Sequence, residues 1–61
     1  MTALDLALTA CELRQKADRY RALAAYLGDA RQAAVVEDLA ACCDARADEL
    51  TRDIKRLRKA A

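Results

Sequence analysis

Alanine returns every seventh residue through both halves of this chain, and that repeat restricts the fold more than any other feature. Ala3, Ala10, Ala17 and Ala24 form one series, and three residues after each come Leu6, Leu13, Tyr20 and Leu27. Ala33, Ala40 and Ala47 form a second series that continues through Ile54 and Ala61, accompanied by Val36, Cys43, Leu50 and Leu57. A seven-residue spacing of apolar positions keeps one face of a helix turned toward a partner helix. Alanine at one position of each repeat lets two backbones approach closely, and the larger residue three places on fills the flank. The pattern predicts an all-α chain whose two helices meet along an Ala-rich seam.

The punctuation between the two series is short. "LGDARQ", Leu27 to Gln32, contains the only glycine of the chain, Gly28, and there is no proline. Gly28 suits the left-handed position that ends a helix. Asp29 suits the N-cap of the next helix, with Gln32 three residues later as in a capping box. Thr2 with Asp5 is a weaker start signal of the same kind. Helix 1 is therefore expected from about Ala3 to Leu27, a turn at residues 28–29, and helix 2 from about Ala30 to near Arg58. So short a turn makes the helices antiparallel. The 61 residues then form one helical-hairpin domain.

A core built mainly from alanine is thin, and chains of this size usually need a disulfide, a metal or an oligomer. Apolar residues also stand outside the seam: Leu4, Leu8, Leu23, Tyr26, Val35 and Leu39. One seam between two helices cannot bury them. A second hairpin is the simplest cover, so the expectation is a homodimeric four-helix bundle.

The three cysteines do not suggest a site. Cys42 and Cys43 are adjacent, without the C-x-x-C spacing of zinc or redox sites, and neighbours on a helix diverge too far for a relaxed disulfide. Cys43 falls on the seam between Val36 and Leu50, where a free thiol acts as a small hydrophobe; Cys42 turns about 100° away, to the seam's edge. With Cys11 they make an odd number, which favours a reducing, cytoplasmic setting. "LTAC", Leu8 to Cys11, resembles a lipoprotein cleavage box, but no Lys or Arg precedes it and Asp5 interrupts the apolar run. No run of ~18 apolar residues is present, so a membrane span is not expected.

Catalytic chemistry finds little to work with. The chain has no histidine, which removes His-based acid–base catalysis, triads and His ligands. Asp48 and Glu49 splay apart on a helix, and the Glu-x-x-His pattern of di-iron bundles is absent. There is no glycine-rich phosphate loop. The expectation is a non-enzymatic protein without cofactor or metal.

The net charge of +1 gives no global field toward nucleic acid or membrane. The charge is nevertheless segregated. Arg14, Lys16, Arg19 and Arg21 fall where an antiparallel hairpin sets Glu37, Asp38, Asp44, Asp48 and Glu49 beside them. The tail carrying Arg52, Lys55, Arg56, Arg58 and Lys59 faces only Asp5, so a basic patch is expected at the open end. These nine cations are the candidate contacts should the partner be nucleic acid; an unidentified protein partner is favoured over it, and a membrane is not expected.

Two resemblances follow from these residues. "ARADELTRDI", Ala45 to Ile54, resembles the second helix of the Rop family of plasmid copy-number proteins, and Ala33, Ala40, Ala47 and Ile54 fall where that family has small layer residues. The resemblance implies a dimeric four-helix bundle and, as an alternative function, binding of RNA or DNA. Matching by heptad sets Glu12 at the family's exposed aromatic position, with Leu8, Lys16 and Leu23 around it. Of these only Lys16 suits an RNA face, and an acid at its centre opposes phosphate. The stretch from Ala17 to Leu50, with its "YRxLA" and "LAxxxxxxA" patterns, is similar to short helical-hairpin proteins of unassigned function from alphaproteobacteria. That similarity implies a bacterial cytosolic protein and no particular activity.

Overall fold

The computed structural model describes residues 2–60 and contains two helices, α1 (Ala3–Tyr26) and α2 (Ala30–Ala60), packed as a hairpin. Each helix begins on a side-chain cap. At α1 the Thr2 hydroxyl accepts from the Asp5 N–H at 3.2 Å, and the Asp5 carboxylate accepts from the Thr2 N–H at 3.2 Å. Two of the free donors of the first turn are thereby satisfied. At α2 one carboxylate oxygen of Asp29 accepts from the N–H groups of Arg31 (2.8 Å) and Gln32 (3.2 Å). Gln32 contributes its backbone and not its side chain, so this start is an Asp cap rather than the full reciprocal box.

The end of α1 differs from the sequence expectation. No described residue has positive φ, so Gly28 does not take the left-handed position. Leu27 leaves the helix instead, with φ −75° and ψ 129°, while its N–H still reaches the carbonyls of Leu23 and Ala24. The exit therefore occurs one residue early, at Tyr26, and the reversal needs three residues, 27–29. The Leu27 side chain stays half-buried at the end of the seam. At the other end α2 continues to Ala60, two residues beyond the expected stop, with Arg58 and Lys59 in a last turn where cations favour the helix dipole. Ala61, the final member of the second alanine series, lies outside the described residues.

The core follows the repeat. Its buried side chains are Leu6, Ala10, Ala17, Ala24, Ala40, Ala47 and Leu50, with Ala17, Ala40 and Ala47 at 0 % exposure. Leu13, Tyr20, Leu27, Val36, Cys43 and Ile54 are half-buried along the same line. Leu6, Ala10, Ala47 and Leu50 form one cluster, with Leu13 and Ile54 packed on it. The cluster thus joins the first half of α1 to the second half of α2, as an antiparallel hairpin requires.

Leu57 departs from the pattern. It is 44 % exposed although it holds a seam position. It lies beyond Ile54, which still packs on the buried cluster, in a stretch, residues 55–60, that is exposed throughout. At 1.5 Å per residue a 31-residue helix is about 46 Å long, close to the 49 Å length of the hairpin. The exposed end of α2 belongs to the longer helix, 31 residues against the 24 of α1.

The seam generates a direct test. Ala17→Leu or Ala40→Leu inserts a large side chain where the alanine has no exposed surface, and overpacking of this kind costs roughly 1–3 kcal/mol. Circular dichroism should show each variant melting well below the parent. Unchanged melting of both variants would contradict close packing at the seam.

Candidate functional site

Cross-helix polar contacts lie on one flank of the hairpin. Arg21 follows Ala17 by four residues and Asp44 follows Ala40 by four. At 100° per residue both turn to the same side of the seam. Arg21 forms an ion pair with Asp44 and a longer one, 3.9 Å, with Asp18. The Arg14 guanidinium reaches the Thr51 hydroxyl at 3.1 Å and the Asp48 carboxylate at 3.5 Å on that flank. The hydrogen bond from Asp44, then its charge, raises the Arg21 guanidinium above its ordinary value. Solvent-exposed pairs such as these contribute little stability but hold alignment.

The opposite flank has a different chemistry. Leu23 directly precedes Ala24 and Leu39 directly precedes Ala40, so both turn away from the Arg21–Asp44 side. Tyr26 stands one turn beyond Leu23, and Val35 one turn before Leu39. All four are exposed: Leu23 by 48 %, Tyr26 by 90 %, Val35 by 60 % and Leu39 by 46 %. They cluster in the turn half of the flank. Toward the open end the same flank is charged and partly paired within α2, with Arg46–Glu49 at 2.8 Å and Arg56–Asp53 at 3.2 Å. Leu8, also exposed, lies on the outer side of α1, and Leu4, which directly follows Ala3, turns to the Arg21–Asp44 side.

The candidate cations separate into two sets. Arg14 and Arg21 are spent on α2, whereas Lys16 and Arg19, among the described residues, form no ion pair. In the tail Arg56 is paired with Asp53; Arg52, Lys55, Arg58 and Lys59 are exposed without an acidic partner among the described residues. The last three lie in the exposed end of α2, residues 55–60.

The thiols sit at three exposures. Cys11 and Cys42 are exposed and Cys43 is half-buried on the seam; all three are free. Among the described residues no three His, Cys, Asp or Glu side chains gather at metal-binding distance, and no pocket forms. No helix is long and apolar enough to cross a membrane. The surface that offers binding chemistry is thus the apolar flank, with the exposed basic end as a separate feature.

The grouping of Leu23, Tyr26, Val35 and Leu39 on one side escaped the sequence reading, which counted them only as leftovers. The signal was present: two leucines each stand immediately before a seam alanine, and opposite charges each stand four residues after one. No family model, no curated protein and no solved structure matches this chain.

The two adjacent cysteines should respond differently to serine. Cys43→Ser puts a hydroxyl on the seam and should cost about 1 kcal/mol, since an unpaired polar group is then partly withdrawn from water. Cys42→Ser should leave the thermal midpoint unchanged. Equal, negligible effects would remove Cys43 from the packed core.

Proposed function

We propose that this chain is a non-enzymatic interaction module of the bacterial cytoplasm, acting as a homodimeric four-helix bundle. The observation that carries this reading is the amount of surface the hairpin leaves wet. A compact monomer of 6.7 kDa exposes about 3,900 Å² by the scaling of surface with mass. This hairpin exposes 4690 Å². The difference, about 800 Å² per chain, matches what each partner buries in a protein interface of standard size. Four large apolar side chains grouped on one flank supply the apolar centre that such an interface needs. The free thiols favour a reducing compartment.

Size-exclusion chromatography with light scattering tests the assembly. The expected mass is twice that of the chain, held on dilution into the micromolar range. A monomer at every concentration would contradict the bundle.

The exposed basic end supports a second reading, a nucleic-acid-binding bundle. Exposed cations at that end can approach phosphates, and among the described residues Lys16 and Arg19 also form no ion pair. On that reading a labelled RNA hairpin binds more weakly as salt rises, and Lys55→Ala, Arg58→Ala and Lys59→Ala together weaken it further. Fluorescence anisotropy at two salt concentrations reads both effects, and no binding at low salt eliminates this reading.

A further inference from the structure

We infer that the second copy docks on the Leu23–Leu39 flank and lies with its turn at the same end as the first. This rests on the dimeric reading and specifies the face and direction of the pairing.

The choice of face follows from what each flank has already used. On the Arg21 side, side chains from both helices are engaged across the seam, and covering them would desolvate ion pairs. On the other side Leu23, Tyr26, Val35 and Leu39 are exposed, and among the described residues neither helix contributes a cross-seam polar contact. Loss of water from that patch favours association.

The direction follows from the uneven distribution along the flank. Two hairpins stacked face to face on a two-fold axis have two options. With the axis across the hairpins, turns lie at opposite ends. Full overlap then sets the apolar turn half of each chain over the charged open half of the other, which carries Asp53, Glu49 and Arg46. With the axis along the hairpins, turns lie together, and α1 of one chain runs beside α2 of the other. Leu23 and Tyr26 end α1 near the turn and Val35 and Leu39 begin α2 near it, whereas Glu12 and Arg46 both lie in the open half of the hairpin. Leu23 and Tyr26 then meet the partner's Val35 and the partner's Leu39. Glu12, which among the described residues has no ion pair, falls in the same half of the flank as the partner's Arg46. The apolar turn halves meet each other, the open halves bring charges of both signs together with Lys16 and Arg19 between the two halves, and every neighbouring helix pair is antiparallel.

Two measurements test this together. The face is read by light scattering on Leu39→Glu and Leu8→Glu, with circular dichroism to confirm that each stays helical. Leu39→Glu should dissociate the dimer at least tenfold more readily than the parent, and Leu8→Glu, on the outer side of α1, should not. The direction is read by electron–electron spin distance measurement on a nitroxide at Gly28→Cys, in a background of Cys11→Ser, Cys42→Ser and Cys43→Ala. Gly28 accepts the change because a Cβ there meets nothing within 4 Å and its φ is not positive. Turns at one end put the labels within about 20 Å, two helix-packing distances of 8–10 Å. Turns at opposite ends separate them by roughly the 49 Å length of the hairpin. A short distance with selective loss at Leu39→Glu supports the inference. A long distance, or a dimer indifferent to Leu39→Glu but broken by Leu8→Glu, overturns it while leaving the dimer standing. A monomeric parent removes the dimer itself and this inference with it.

Discussion

Close approach of two backbones along the alanine seam is the constraint on which the rest of this structure depends. Five of the seven buried side chains are alanines. Each removes only a methyl group from water, so the seam gains less from hydrophobic transfer than a leucine core would. What it supplies is proximity: the helices come near enough for Arg14 and Arg21 to reach across to α2, and the larger residues at alternate positions fill the flanks. Close packing of this kind is intolerant of added volume.

Proximity also decides what is left over. A narrow seam covers only a narrow stripe on each helix, and apolar residues outside the stripe must stay wet or find another cover. The chain handles the two sides of the stripe differently. One side is occupied by ion pairs between the helices. The other carries leucine, valine and tyrosine near the turn and self-paired charges near the open end. This asymmetry gives the hairpin one apolar and one ion-paired side, and the longer helix, 31 residues against 24, ends in an exposed basic stretch.

Much of the hairpin was legible in the residues because local and global rules agree there. The seven-residue alanine repeat fixes two helices and their seam, and Thr2 and Asp29 fix their starts through hydrogen bonds that a cap residue makes with its own first turn. Two features were not legible. Gly28 reads as a left-handed helix end, yet the half-buried Leu27 leaves the helix first, a choice set by packing at the end of the seam. Leu57 continues the repeat, but repeat position alone does not reveal that it falls in the exposed end of α2. The apolar flank needed one long-range fact, that Arg21 and Asp44 meet; given it, the sides taken by Leu23 and Leu39 follow from helical geometry.

The central claim is that this flank is closed by a second copy. Isotope-filtered nuclear Overhauser spectroscopy on a mixture of carbon-13-labelled and unlabelled chains tests it most directly, because only contacts between chains give signal. The account requires contacts from Leu23 and Tyr26 in one chain to Val35 and Leu39 in the other. Absence of any contact between chains, or contacts confined to Leu4 and Leu8, would contradict it.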